Sequence, residues 1–509
     1  MDRWGLKGSI TIFFSLTCIL FLSFICAVIE SARVQGAKAQ TANIMGMGNF
    51  SLLGEFENGL LEKYEIFSLD GSYGQGKFQI EKVNERLQEY ISYNANPKKD
   101  IFSLWCFDPW NLELTESDVS EYSLLTDEKG EPFYQQAVAY MKANAASIAV
   151  DKLMEYTKDT EEIEKWQEKY EESKKSNDSQ ISDLEKEKQE KIESMESEAK
   201  EAEEKGEIVV VQEEPKENPL KEIAKLQKKS VLSIVTWDKE ISEKTINTWN
   251  FPSKNRNRKG NLKIEKKYGG LVDHVLFREY LMMHFPDYLS EAKGEALDYQ
   301  LEYILGGKSS DKKNLKYVVN RLLLIREGMN YLYCLQNPEN NYQAEKLSLT
   351  LTGFLGIPAL TTATKHALLL AWAYGESLID VRVLLDGGKI PIVKDASSWS
   401  LTVDNLGRVT EILEQGASGG ETGLTYQEYL RVLLNMGSVT AQRMRALDMI
   451  QAELRSQSNS SEFKAENCIV ALKSSTKWKC RPVFLRLPMS VMGLSGGDVQ
   501  IMQEGSIAY

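Results

Sequence analysis

Twenty consecutive residues without a charge, Ile10 to Ile29 (ITIFFSLTCILFLSFICAVI), constrain this chain more than any other stretch. As a helix rising 1.5 Å per residue they span about 30 Å, the thickness of a bilayer's hydrocarbon core. A cleavable secretory signal has an apolar region of only about 7–15 residues. No small-x-small site follows the run directly, and Ala37-Lys38-Ala39 lies too far downstream to serve. The run therefore reads as an uncleaved transmembrane anchor. Lys7 on one side and Glu30 and Arg33 on the other are its membrane-boundary charges. The Lys and Arg count leans towards a cytoplasmic N-terminal stub, residues 1–9. The expected location is thus the cell membrane, single-pass, with the bulk of the chain extracellular.

Leu347 to Thr364 is also uncharged, but Thr, Ser, Gly and Pro358 interrupt it. Two packed core helices meeting near Gly356-Ile357-Pro358 fit better than a second span. The rest has the makeup of a globular chain: of 509 residues, 42% are apolar and 27% charged. The net charge of −13 argues against nucleic acid as a partner, since neutralising phosphates needs a surplus of Lys and Arg. Three histidines and six cysteines give no metal or cofactor signature.

The expected fold class is α+β: an N-terminal transmembrane helix, a mainly helical ectodomain with a small antiparallel sheet, and a charged coiled-coil-like helical insertion. The expected divisions are the stub 1–9, the anchor 10–29, a membrane-proximal α+β region 30–155, the charged segment 156–215, and a larger ectodomain 216–509. Ser31 to Met47 is rich in Ala, Gln and other small residues, so the anchor helix is expected to continue as a stalk. Ile80, Val83, Leu87 and Ile91 recur at helical spacing. In the charged segment Ile163, Trp166 and Tyr170, then Ile181 and Leu184, form a thin apolar seam, with Asn177 and Lys188 at the next seam positions. A coiled coil, a helical hairpin and a solvated linker all fit this pattern, and the first would support a homo-oligomer. Helices are expected over 271–289, 311–335, 342–354, 360–385 and 425–455. Strands are expected over 231–236, on either side of a turn at Ser474-Ser475-Thr476, and over 499–502.

The chain has no HExxH, CxxC or Walker A motif, and its SxxK occurrences lack the accompanying KTG. Asp70-x-Ser72 reads as a turn, because Asp and Gly favour one there. Glu376 and Asp380, at i,i+4 on one helix face beside Trp372, are the best carboxylate pair. They would serve acid/base chemistry in a membrane-anchored enzyme, or form a buried ionic network with Arg326, Arg321 or Arg382. Cys468 and Cys480 are candidates for a disulfide across the tail hairpin; Cys106 and Cys334 have no obvious partner.

Several segments together carry a resemblance. Lys7-Gly8-Ser9-Ile10-Thr11-Ile12-Phe13, the apolar run and Glu30-Ser31-Ala32-Arg33 resemble the opening of TadE/TadG-like, pseudopilin-related membrane proteins of Gram-positive tight-adherence (Tad/Flp) pilus loci. Phe67 to Gly74, Leu125-Thr126-Asp127, Gln135 to Lys142, Asn218-Pro219-Leu220, Leu301 to Lys308, Arg326 to Asn330 and Ala371 to Ser377 are similar as well. The resemblance implies a minor pilin-like or pilus-assembly component outside the membrane, without catalytic activity or cofactor. Its partners would be membrane lipid and other pilus or secretion-system subunits. It also marks Gly8 and Ser9 as a candidate processing site. Counting from Ser9, the fifth position is Phe13, where pilins of such systems carry Glu. That departure implies a priming, tip or anchoring role rather than a place in the filament body. A coiled-coil envelope scaffold or sensor unrelated to pili is the alternative.

Overall fold

The computed structural model describes residues 5–95, 110–144, 150–204, 218–416, 420, 422–456, 461–491 and 497–509. In chain order its elements begin with α1 (Gly5–Leu53), α2 (Asn58–Tyr64), β1 (Leu69–Asp70), α3 (Ile80–Ala95), β2 (Leu112–Leu124), α4 (Asp127–Ala143) and α5 (Val150–Glu204). There follow α6 (Pro219–Gln227), α7 (Val231–Val235), α8 (Leu271–His284), α9 (Gln300–Gly306), α10 (Asp311–Gln336), α11 (Pro338–Thr352) and α12 (Pro358–Leu385). The last are α13 (Val409–Gln415), α14 (Tyr426–Met436), α15 (Val439–Ser456), β3 (Cys468–Cys480), α16 (Arg486–Val491) and β4 (Val499–Ala508). The class is α+β, mostly helical with one small antiparallel sheet.

Two compact units share the chain. Unit 1 comprises Met1–Ala137, Asn255–Lys267 and Gln457–Tyr509; unit 2 comprises Val138–Lys254 and Tyr268–Ser456. The C-terminal residues, expected to close the 216–509 ectodomain, thus belong with the N-terminal unit.

In unit 1, β3 is the central strand. It pairs antiparallel with β2 along one side and with β4 and the short β1 along the other. The C-terminal half of α1 and the amphipathic α3 cover this sheet. Their Ala37, Ile44, Leu52, Val83, Leu87 and Ile91 enclose Val119, Leu472, Trp478 and Ile501 from the strands. The stalk expected beyond Ile29 is present as one unbroken helix of 49 residues, about 73 Å long. The expected turn at Ser474-Ser475-Thr476 is absent, and 468–480 is a single strand. Ser474 Oγ donates to Asn49 Oδ1 at 2.8 Å on α1 and Thr476 Oγ1 lies against Met45, so these two small polar residues serve the helix–sheet contact. Cys468 and Cys480 consequently stand at opposite ends of β3, not bonded to each other. Twelve strand steps separate them by about 40 Å, whereas a disulfide needs Cα atoms within about 7 Å, so this pair forms no disulfide. Cys106 lies outside the described residues.

In unit 2, α10 and α12 form the centre, with α5, α9, α11, α14 and α15 around them. Asn218 and Asn337 each accept from backbone N–H groups of the following turn, with Pro at the first helical position after them, which explains where α6 and α11 start. The uncharged 347–364 stretch is the α11–α12 elbow, turned by Gly356 at φ 67°. Among the described residues only α1 is long and apolar enough to cross a membrane. Residues 231–235 form the short helix α7 rather than a strand, Ile234 N donating to Ser230 O at 3.2 Å.

The charged segment is helical, as the fold class expects. Residues 150–204 are a single helix, and its seam faces its own unit: Ile163 and Tyr170 are buried, and Leu184, Ile192 and Met195 pack on Leu355, Ile357 and Leu360. The side expected to pair with a second copy is occupied. Gly328 permits the crossing of α5 over α10, since a Cβ there would lie 3.1 Å from the Gln167 backbone.

Candidate functional site

Two arrangements hold the residues that the sequence singles out. The first is the junction where the apolar run enters unit 1. From Ile10 to Ile29 the large side chains of α1 are exposed, Phe13, Phe14, Leu20 and Phe24 among them. Ser15 and Thr17 turn their hydroxyls back to Ile12 O at 3.0 Å and Phe13 O at 2.8 Å, which satisfies them within the helix. At residue 30 burial begins. Glu30 and Arg33, read from sequence as boundary charges, are instead turned inwards and are only 5% and 6% exposed.

Arg33 Nε lies 2.9 Å from Glu30 Oε1, and its guanidinium also donates to the carbonyls of Trp110 at 2.5 Å and Arg481 at 2.7 Å. The other Glu30 oxygen accepts the backbone N–H groups of Val483 at 3.1 Å and Phe484 at 2.8 Å. The pair thus neutralises itself and fastens three segments of sequence at one level of α1. Gly36, directly above, faces the Trp110 ring so closely that a Cβ would come within 2.4 Å of it. The backbone of Lys7, Gly8 and Ser9 lies in the first turns of α1; their side chains lie outside the described residues.

The second arrangement is in unit 2. Glu376 and Asp380 sit one turn apart on α12, as their spacing requires, and both are fully buried. Arg326 of α10 places Nε 2.9 Å from Asp380 Oδ2 and donates to the carbonyls of Pro391 and Ile392, both at 2.9 Å. Asn330 Nδ2 adds a bond to the same carboxylate oxygen at 2.8 Å. The bridging cation is Lys394, which contacts Glu376 Oε1 and lies 2.6 Å from Asp380 Oδ1. Ser400 N and Leu401 N donate to the Glu376 carboxylate at 2.9 and 2.8 Å.

Two cations against two carboxylates leave this cluster neutral. Burial pushes the Asp380 carboxyl up, but Arg326 and Lys394 outweigh it and hold the group below the usual range. Glu376 is raised, chiefly by burial and against the pull of Lys394, with the Asp380 charge adding to the rise. Every oxygen of the two carboxylates faces a donor or a cation, so the cluster acts as a clamp holding the 390–401 loop against α10 and α12. Of the other expected cations, Arg382 pairs with Asp238 and Asp386. Lys394 escaped the sequence reading because it comes from a loop outside any periodic segment. The only available signal was its place directly after a short apolar stretch, Ile390 to Val393.

Asp70 forms the expected turn. Its Oδ1 accepts from Ser72 N at 2.9 Å and its Oδ2 from Gly74 N at 2.8 Å. Among the described residues no group of three or more His, Cys, Asp or Glu is placed to hold a metal ion.

Fold and junction together define an α+β protein whose first helix is long and apolar enough to cross a membrane. A family of unknown function, DUF5702, matches residues 210–480, just over half of the chain, and the chain belongs to that family. No curated protein and no solved structure matches it.

Proposed function

We propose that this chain is a membrane-anchored structural component of a pilus or secretion assembly of the tight-adherence type, with its bulk outside the cell and acting by packing rather than catalysis. The observation that carries this reading is the continuity of α1. Its first half offers a lipid-facing surface on which Ser15, Thr17, Ser23 and Ala27 allow a neighbouring helix to approach closely. Its second half is part of the unit 1 core, so a helix contact made within the bilayer fixes the orientation of a whole folded unit. The resemblance of the N-terminal and internal segments to TadE/TadG-like proteins supplies the identity of the assembly. Phe13, in place of a carboxylate, suits a primer, tip or anchor, since no buried charge in the lipid has to find a partner.

The test is made in the native cell. With the gene deleted, surface filaments counted by electron microscopy should fall sharply and return on complementation. Trypsin added to intact cells should cut the chain beyond residue 30. Unchanged filaments in the deletion strain, or full protection from trypsin, would overturn the proposal.

A further inference from the structure

The sequence leaves the outer end of the anchor with Glu30 and Arg33 as its headgroup-level charges, and the structure removes both. They are buried and bonded to each other and to backbone, so other groups must meet the membrane surface at this level. The residues brought there come from the far end of the chain. Contacts along α1 give the order: Glu30 meets Val483 and Phe484, Lys38 and Thr41 meet Gln503, Asn49 meets Ser474, and Leu53 meets Tyr509. Residues 481–484 are therefore the part of the C-terminal segment that sits against the last turn before the apolar run, and the sheet lies farther along the helix axis.

The composition of this segment is unusual for a surface loop. Arg481-Pro482-Val483-Phe484-Leu485-Arg486 alternates exposed arginines with apolar side chains that are only partly covered, and Met489 of α16 is partly covered as well. Arg481 reaches Glu113 at 2.6 Å while remaining more than half exposed. The backbone carbonyl of Trp110, which Arg33 holds, lies at the same level, while its ring packs on Gly36 farther from the run. Apolar side chains flanked by arginines are what the boundary between acyl chains and headgroups favours.

We infer that residues 481–486 form a second membrane contact, lying in the headgroup region beside the anchor, with Val483, Phe484 and Leu485 towards the acyl boundary and Arg481 and Arg486 among anionic headgroups. Glu30 is the positioning residue: by accepting the N–H groups of residues 483 and 484 it ties this wedge to the end of the span. The inference rests on the anchor reading and goes beyond it, because a lone helix is free to rotate and tilt whereas two contacts fix unit 1 against the surface.

The experiment uses the full chain in nanodiscs of phosphatidylcholine and phosphatidylglycerol, with the photocrosslinker p-benzoylphenylalanine placed singly at Phe21, Phe484, Leu485 and Phe50. Lipid adducts are read by mass spectrometry after irradiation. Phe21 lies within the run; Phe50 is exposed on the same helix, about 30 Å along the axis from Glu30. Adducts are expected at 21, 484 and 485, and none at 50; the two neighbouring positions guard against one reporter that disturbs the fold. Adducts at 21 with none at 484 or 485, or protein adducts at 484 and 485 in place of lipid, overturn the inference and leave the anchor intact. Absence of lipid at 21 overturns the anchor reading and the inference with it.

Discussion

Glu302 is fully buried on α9, where Tyr426 Oη donates to its Oε1 at 2.6 Å and Tyr288 N at 2.9 Å. Burial outweighs these bonds and pushes its carboxyl up to about 7. Burial likewise pushes Glu327 up to about 7 and Asp448 up to about 6. The folded chain holds these protons more tightly than the unfolded chain, so stability is full below the ordinary carboxylate range and is lost as pH rises from about 4.5 to 7. Asp380, held low, works in the opposite sense and only at more acid pH. Urea unfolding of unit 2 is therefore expected at lower denaturant at pH 8 than at pH 5.5. Glu302→Gln, which keeps the acceptor oxygen, should reduce that difference by an amount on the order of 1–3 kcal/mol. A pH profile unchanged by the substitution would contradict this account.

At the same scale, Arg326→Met leaves Asp380 and Glu376 sharing only Lys394. Removing one partner of a buried pair costs about 3–5 kcal/mol, a large share of a typical domain's stability. A marked fall in the thermal midpoint of unit 2, larger than for Lys365→Met at the exposed Glu345 pair, is the expected calorimetric result.

Among the elements, α3, α10 and α12 were legible because their apolar residues recur at helical spacing, and the i,i+4 pair on α12 was legible for the same reason. The elements that were misread show what spacing leaves out. Val231 to Val235 is rich in β-branched residues, yet five residues with a Ser230 carbonyl to bond close a helical turn instead. Ser474 to Thr476 looked like a turn because small polar residues favour one, but they lie within a strand, with Ser474 and Thr476 on its buried face against α1. The α5 seam was visible; its partner was not, since α10 lies more than a hundred residues away in sequence.

The α5–α10 crossing gives a sharp test. Gly328→Val forces a branched side chain onto the Gln167 backbone, and overpacking of this kind costs about 1–3 kcal/mol. Limited proteolysis should then cut within 160–200 at lower protease concentration than in the parent chain, while equal resistance would argue that the helices slide apart without penalty.

For the whole molecule, the cysteine chemistry follows from β3. Cys468 and Cys480 are buried thiols at its two ends, and burial pushes Cys468 up, which slows its reaction while folded. Iodoacetamide without reductant should leave both unmodified in the native chain and alkylate both after denaturation. A denatured chain that needs reductant before either residue reacts would refute the single-strand geometry. Removing residues 497–509 should strip β4 from the sheet and open 30–95 to protease, because α1 then loses one of the strands that cover it.

Unit 1 is assembled from the first and last parts of the chain, and this sets an order of events during synthesis. The ribosome releases α1 first, yet β3 and β4 emerge only after more than four hundred further residues. At about 5–20 residues per second that interval is roughly 20–90 s. Throughout it Ala37, Ile44 and Leu52 of α1 lack the strands β3 and β4 that they pack against in the finished unit, while residues 138–456 have time to collapse on their own. Folding of unit 1 therefore demands either a holding factor for the nascent helix or a delay before the rest of the chain collapses, and mutations that slow closure of the final strand would be felt as aggregation during synthesis before any defect in the finished fold.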